Sequence, residues 1–153
     1  MSPSPVEGVA GVLERVGTHL GFTEYEEVTQ EQVALFARAT GDDQWIHTDV
    51  ERAERESPFG GPIAHGFLTL SQVVVVLPRL WELRGFSMGV NYGCERVRFP
   101  APVPVGARLR AGALVDDARE IAGGVQITVT VTFEVEGGRK PACVATVVLR
   151  QYV

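Results

Sequence analysis

The length, composition and charge of the chain already restrict what it can do. Its 153 residues are close to the size of one ordinary domain, so we expect a single domain over residues 1–153, with residues 1–6 frayed. Hydrophobic residues make up 45% and charged residues 22% of the chain, which is typical of a globular protein and excludes wholesale disorder. The net charge of −5 argues against nucleic-acid binding, which requires clustered cations.

The cysteines and the apolar runs bear on the cellular compartment and on cofactors. Cys94 and Cys143 have neither the pattern of a disulfide scaffold nor the spacing of a zinc site. The longest aliphatic run, residues 73–77, is far shorter than the roughly 20 residues of a membrane-spanning helix. Charged residues interrupt the start of the chain, which argues against a secretory signal. We therefore expect a cytoplasmic protein with reduced thiols, no membrane association, no metal and no nicotinamide cofactor.

Two amphipathic helices are predicted in the first part of the chain. Apolar residues recur at helical spacing from Val9 to Leu20 and predict a first helix. Thr29 and Gln32 have the form of a capping box, and they predict a second helix that ends near Gly41.

A third helix is predicted from Gly66 to Gly85, and it is apolar on almost every side. The β-branched residues 73–76 also suit a buried strand, but the length of the segment favours a helix that Pro78 kinks or restarts. Such a helix requires cover on several sides, so a single flat layer of structure is not sufficient.

The remainder of the chain has the pattern of β-strands. The segments 87–99, 107–117, 121–136 and 140–152 are rich in Val, Thr and Ile, and Asp116-Asp117 is one of the turn signals between them. Strict alternation of apolar and polar residues in the third segment predicts antiparallel strands with one wet face. The sequence therefore predicts an α+β protein whose antiparallel sheet curls around the apolar helix.

Asp42 and His47 are the first candidates for chemistry, because they lie five residues apart in a turn directly after a helix. Gly41 lets the helix end, and the apolar residues 45–46 can pin the turn to the core. A carboxylate and an imidazole in one cavity can move protons to and from a single water molecule near neutral pH. The alternative is an Asp42 that caps a helix and a His47 that bonds to the backbone. Asp43 is the neighbouring candidate and is expected to face solvent.

The second candidate region surrounds Gly66, at the start of the long apolar helix. A free N–H group there can bind developing negative charge, and glycine permits close approach of a substrate carbonyl. Ser71, one turn later, is a further candidate for binding that carbonyl; the alternative is a bond to the backbone of its own helix. His65 is a candidate for substrate binding, and the alternative is a purely structural histidine. For Gly66, the alternative is that the glycine only allows a tight turn.

Two motifs in this part of the chain occur together. They are Gly41-Asp42 with Ile46-His47 and Ala53, and Pro62-Ile63-Ala64-His65-Gly66-Phe67-Leu68 with Ser71. The combination resembles the MaoC-like dehydratase family, whose type members are (R)-specific enoyl-CoA hydratases. Residues 43–47, 91–93 and 98–103 resemble the nodulation-protein-N-like branch of that family. The resemblance extends from about Val28 to Val153.

The resemblance implies a hot-dog fold, in which an antiparallel sheet wraps a long central helix, and it implies pairing into dimers. It also implies that Asp42 and His47 form a catalytic dyad and that Gly66 and Ser71 contact the substrate carbonyl. The chain departs from the family at Gln44-Trp45, where Asn-Pro is common. Gln44 can still orient a carboxylate or a water through its amide, whereas the tryptophan adds bulk that affects the acyl pocket.

The reaction that the resemblance implies is reversible hydration of a trans-2-enoyl-CoA thioester to (R)-3-hydroxyacyl-CoA, a hydro-lyase step of fatty acid metabolism. We expect Asp42 to be the general base on the water, while His47 orients the water and supplies a proton to C2. The reversed assignment stays open because both groups share one water. The N–H of Gly66 is expected to stabilise the enolate-like transition state.

Two other functions remain open at this point, a hot-dog acyl-CoA thioesterase and a non-catalytic acyl-thioester-binding protein, since one fold supports several activities. The presence of both motifs favours the hydratase. An apolar helix and an exposed sheet edge also predict a homodimer or a larger homo-oligomer.

Overall fold

The computed structural model describes residues 2–153, and these form six helices and eight strands. In chain order they are β1 (Ser4–Glu7), α1 (Gly8–Leu13), β2 (His19–Phe22), β3 (Glu26–Glu27), α2 (Gln30–Thr40), α3 (Trp45–Thr48), α4 (Val50–Glu56), α5 (Gly66–Ser71), α6 (Val73–Leu80), β4 (Trp81–Arg84), β5 (Met88–Arg98), β6 (Arg108–Ile121), β7 (Gly124–Val135) and β8 (Cys143–Tyr152).

The main sheet is antiparallel and has the strand order β2-β6-β7-β8-β5, with β3 paired to the start of β6. The central strand β7 alternates as its sequence predicts, because every second side chain of a strand points to the same face. The buried members of this alternation are Val125, Ile127, Val129, Val131 and Phe133. Four of the predicted strand segments are thereby confirmed.

The core lies between this sheet and helix α6. Val73, Val76, Leu77 and Leu80 are buried in one cluster with the inner faces of β6, β7 and β8. The predicted wrap of an antiparallel sheet around an apolar helix is confirmed. No helix within residues 2–153 has both the length and the apolar character needed to cross a bilayer.

The first predicted helix is wrong in its second half. Helix α1 ends at Leu13, and His19–Phe22 forms strand β2, which pairs with β6. Gly17 has a φ of 82° and donates its N–H to the carbonyl of Val115, which redirects the chain towards the sheet. Pairing with a distant strand outweighs the local helical periodicity here.

The third predicted helix is shorter than expected and is divided. It consists of α5 and α6, which meet at Gln72, and residues 81–84 form β4. Strand β4 pairs in parallel with β1, so the expectation of a frayed start is wrong for residues 4–6; residue 1 lies outside the described chain. Burial of Val6, whose side chain is 2% exposed, holds this short strand in place.

The turn expected at Asp116-Asp117 does not exist. Strand β6 passes through a bulge between Val115 and Asp117 and continues to Ile121. The hairpin turn follows at Gly123, where a φ of 77° requires the freedom of glycine. A bulge absorbs the polar pair without ending the strand.

One side of the central helix is not covered, contrary to the expected burial on all sides. Phe67 is 69% exposed and Val74 is 54% exposed. Beside them runs β5, which forms an edge of the sheet and is exposed along nearly its whole length. The molecule therefore has an apolar face next to an edge strand.

Candidate active site

The turn that carries Asp42 begins at the end of helix α2. The predicted capping box is confirmed: the Gln32 N–H donates to Oγ1 of Thr29, and the Thr29 N–H donates to Oε1 of Gln32. At the other end, Gly41 adopts a φ of 81° and donates its N–H to the Ala37 carbonyl. This left-handed residue turns the chain and leaves the Asp42 side chain exposed.

His47 lies on the short helix α3 and is 6% exposed. Its Nδ1 is 2.6 Å from the carbonyl oxygen of Ile63. A carbonyl only accepts, so Nδ1 carries the proton and donates it, and Nε2 of the neutral ring keeps a free lone pair. The backbone bond considered for His47 does form, but it uses only one ring nitrogen and leaves the other for chemistry.

The surroundings of His47 lower its pKa below the usual value of 6.5. Burial, which penalises the imidazolium, is the largest cause, and the neighbouring His65 lowers the pKa further. The Ile63 carbonyl and the Asp42 carboxylate act in the opposite direction without reversing the shift. His47 is therefore mostly neutral at pH 7, and its Nε2 is a proton acceptor.

Asp42 and His47 come together as the sequence predicts. A carboxylate oxygen of Asp42 and a ring nitrogen of His47 lie within 4.8 Å of each other. Two hydrogen bonds of about 2.8 Å, arranged tetrahedrally on one water, span about 4.6 Å. A separation up to this limit allows one water molecule to contact both groups.

His65 joins the pair, and one of its ring nitrogens belongs to the same 4.8 Å group. Its ring stacks on that of His47, with centroids 3.9 Å apart and an interplanar angle of 26°. The lone pairs of nearly parallel stacked rings do not converge on one point, so this trio does not have the geometry of a tetrahedral metal site. His65 is 2% exposed, and its expected contact with substrate stays a prediction.

Gly66 begins helix α5, and its N–H has no acceptor among the hydrogen bonds of residues 2–153. A side chain at this position would meet the ring of Phe99, three carbon atoms of which lie 3.2 Å from the position of a Cβ. Glycine therefore leaves a narrow opening beside a free donor. Helix α5 has only six residues, so the N–H itself, rather than a long helix dipole, is the useful feature.

Ser71 is exposed at the end of α5, and its hydroxyl donates to the carbonyl of Leu68 at 2.7 Å. The backbone-bonded alternative is therefore the observed arrangement, formed to the residue three positions earlier rather than four. The oxygen of Ser71 can still accept a hydrogen bond.

The departure at Gln44-Trp45 affects the outside of the site. The backbone N–H of Gln44, rather than its side-chain amide, lies 3.5 Å from Oδ1 of Asp42. Trp45 lies under the guanidinium of Arg52, which is 4.3 Å from the ring centroid and pairs with Glu56. The bulk of the tryptophan is taken up between α3 and α4.

Two features of the site escape sequence reasoning. His47 is held by the backbone carbonyl of Ile63, and every residue type has such a carbonyl, so the sequence does not indicate this contact. Phe99 covers Gly66 from more than 30 residues away in the chain. Phe99 does occur in one of the motif segments, which is the only signal that could have directed attention to it.

A groove of about 330 Å³ adjoins Gly66 and is lined on its far side by Phe99 and Val103. Ala64 and Thr69 separate it from a second cavity of about 230 Å³. The floor of this second cavity includes Leu68, Val76 and Phe133, and Arg79 and Glu26 lie among its polar lining. The site therefore has apolar space on both sides of the α5 start.

An antiparallel sheet wrapped around a helix defines a hot-dog fold, and a carboxylate and a neutral imidazole lie close together beside the start of α5. The family model "MaoC like domain" matches residues 12–137, and the chain belongs to this family.

Similar proteins agree with this assignment. The chain is 47% identical over 145 residues to "3-hydroxyacyl-thioester dehydratase Z" of Mycobacterium tuberculosis, covering 94% of this chain and 95% of that protein. It is 42% identical to "Nodulation protein N" of Rhizobium leguminosarum bv. viciae, covering 90% and 86%. The solved (R)-hydratase of A. caviae superposes with a TM-score of 0.71 at 26% identity, covering 88% and 94%.

Proposed function

We propose that the protein catalyses the reversible addition of water to a trans-2-enoyl-CoA thioester, which yields the (R)-3-hydroxyacyl-CoA. The observation that carries this proposal is the pairing of Asp42 with a neutral His47 at a separation that fits one water. Membership of the MaoC-like family supports a hydro-lyase. The names of the mycobacterial dehydratase and the A. caviae (R)-hydratase support the thioester and the stereochemistry.

The proposed water lies between the Asp42 carboxylate and Nε2 of His47. Both groups accept hydrogen bonds, so each receives one hydrogen of the water, and a lone pair of the water oxygen is directed away from them. A substrate whose C3 approaches from that side meets a water that is already oriented for attack.

The tautomer of His47 supports it as the proton carrier, which is the reverse of the assignment first expected. As the water oxygen bonds to C3, one water proton passes to Nε2, and the electron pair of the double bond moves into the enolate. The imidazolium then delivers that proton to C2, which restores the carbonyl and neutral His47. Asp42 orients the water and stabilises the transient imidazolium, since its charge favours protonated His47.

The proposed oxyanion donor is the free N–H of Gly66. Polarisation of the thioester carbonyl makes C3 electrophilic, and the same donor stabilises the enolate oxygen that develops. Ser71 and Gln44 are proposed to line the thioester and the water, Ser71 through its hydroxyl oxygen and Gln44 through the N–H that faces Asp42. A residue at position 66 larger than glycine would crowd the approaching carbonyl.

The protein is also proposed to act as a homodimer or a larger homo-oligomer. The exposed side chains of Phe67 and Val74 on the central helix and of Met88 on the edge strand β5 are apolar. A second copy could pair with that edge and cover the face, so that β5 would no longer be an exposed edge strand.

The test is to incubate the purified protein with crotonyl-CoA and record the enoyl absorbance together with free thiol. Loss of absorbance without thiol release is expected, with (R)-3-hydroxybutyryl-CoA as the product. Thiol release would indicate the thioesterase instead. Binding of crotonyl-CoA with neither change would indicate a non-catalytic acyl-thioester-binding protein.

A further inference from the structure

His65 contacts both members of the proposed dyad, Asp42 and His47. Its Nε2 is 2.9 Å from the backbone carbonyl oxygen of Asp42. One face of its ring stacks on His47 at 3.9 Å, and it also contacts the ring of Phe36 at 4.8 Å. The next residue in the chain is Gly66, the proposed oxyanion donor.

The bond to Asp42 fixes the tautomer of His65. Because the carbonyl of Asp42 only accepts, Nε2 of His65 carries the proton and donates it. The other nitrogen, Nδ1, is buried and has no hydrogen-bond partner within the described chain. A buried nitrogen without a partner costs stability, and an apolar ring would fill the same space without that cost. The imidazole is therefore poorly explained as packing alone.

Three hydrogen bonds connect the turn that carries the dyad to the segment before α5. The Ile63 N–H donates to the Ile46 carbonyl at 3.0 Å, and Nδ1 of His47 donates to the Ile63 carbonyl at 2.6 Å. The third is the bond from His65 to Asp42, and it is the one of the three that holds the carboxylate end of the turn. Without it, Asp42 would remain attached to the turn but would lose its link to the Gly66 end of the site.

We propose that His65 is a positioning residue: its Nε2–H holds the Asp42 backbone and its ring holds the plane of His47, so that the dyad keeps a fixed place relative to Gly66. This inference rests on the proposed function. C3 and the thioester oxygen belong to one rigid conjugated unit, so the distance between them is fixed. The water held by Asp42 and His47 must therefore keep a matching distance from the Gly66 N–H.

The experiment compares three variants by steady-state hydration of crotonyl-CoA and by thermal melting. His65→Phe keeps an aromatic ring but removes the donor, and we expect kcat to fall at least about tenfold while KM changes less than about threefold. His65→Gln places an amide N–H near the position of Nε2, and it is expected to recover a large part of the lost kcat. Phe36→Leu is the packing control; it disturbs the ring contact of His65 and should lower Tm while kcat is retained.

A His65→Phe protein with kcat within about threefold of the parent would overturn the inference while leaving hydratase activity intact. The inference would also fail if Phe36→Leu lost as much kcat as His65→Phe, or if His65→Gln recovered none. Absence of hydration by the unmodified protein would instead refute the proposed function.

A second measurement does not depend on activity. The chain has three histidines, so their side-chain nitrogens can be resolved by ¹H–¹⁵N NMR of the intact protein. We expect His65 to carry its proton on Nε2 and His47 to carry its proton on Nδ1. A His65 ring with the proton on Nδ1 would show that the bond to Asp42 is absent and would overturn the inference for an active or an inactive protein.

Discussion

The sheet and the dyad turn are held in place in different ways. The strands β6, β7 and β8 share long ladders of backbone hydrogen bonds and a set of fully buried side chains. The turn from Gly41 to Thr48, which carries the dyad, is mostly exposed and is held by a few bonds to residues 63–65 and one from the side chain of Gln30. Loss of one buried side chain of the sheet should therefore mainly lower the free energy of unfolding. Loss of one side chain of the turn should instead mainly lower kcat.

The largest effect on stability is expected for Ile127→Ala. Ile127 is fully buried in the central strand β7, so its truncation leaves a cavity and should cost about 2–5 kcal/mol of unfolding free energy. The kcat of the folded fraction should stay within about threefold of the parent. Thr128→Ala, on the opposite face of the same strand, is the matched control and should change stability by less than about 1 kcal/mol. Denaturant titration and hydration assays on the same samples test this separation.

The largest effect on rate in the turn is expected for His47→Gln, which removes the proposed proton carrier. We expect kcat to fall at least about 10²-fold while Tm stays within a few degrees. The pH dependence is a second result of the same experiment. Because the pKa of His47 lies below 6.5, its Nε2 is free above that pKa and protonated below it, so kcat/KM should decline as the pH falls through a value below 6.5. A decline whose midpoint lies at or above pH 6.5 would contradict the lowered pKa.

Gly66→Ala is expected to have an intermediate effect on rate. The new methyl group would lie 3.2 Å from the Phe99 ring and would narrow the approach to the free N–H. Since Phe99 is 42% exposed and can shift, we expect a Tm close to that of the parent with at least about a tenfold loss of kcat/KM. An equally active Gly66→Ala protein would mean that the carbonyl binds elsewhere.

The smallest effect is expected for Thr29→Ala, which removes the cap of helix α2. The capping box satisfies two backbone donors at the helix start, and its loss should cost about 1 kcal/mol. Gln30, the residue after Thr29, donates its side-chain amide to the carbonyl of His47 at 2.7 Å, but this bond does not use the cap, so kcat should change little. A large loss of kcat would show that the turn depends on the start of α2, including the bond from Gln30 to His47, as well as on its bonds to residues 63–65.

The same contrast explains how far the sequence predicts the molecule. The alternation in β7 and the capping box at Thr29 are local patterns, and both are confirmed. Strands β2 and β4 were missed because they exist only through pairing with β6 and β1, which lie far away in the chain. Local periodicity carries no information about such partners.

The site shows the same limit. The spacing of Asp42 and His47 after a helix stop predicts their proximity, and the structure brings them together. The bond from His65 to Asp42 joins residues 23 positions apart through a backbone carbonyl, which no side-chain pattern specifies. The position of Phe99 over Gly66 likewise depends on how the end of β5 passes α5.

The most direct test of the central claim is the hydration of crotonyl-CoA by Asp42→Asn and Asp43→Asn, measured beside the parent protein. Each change removes one charge from the same exposed turn. Of the two carboxylates, only that of Asp42 belongs to the group whose atoms lie within 4.8 Å of one another, together with His47. We predict that Asp42→Asn loses at least about 10²-fold in kcat with little change in Tm, and that Asp43→Asn stays within about threefold. An Asp42→Asn protein with near-parental kcat, or an inactive Asp43→Asn protein, would contradict the account.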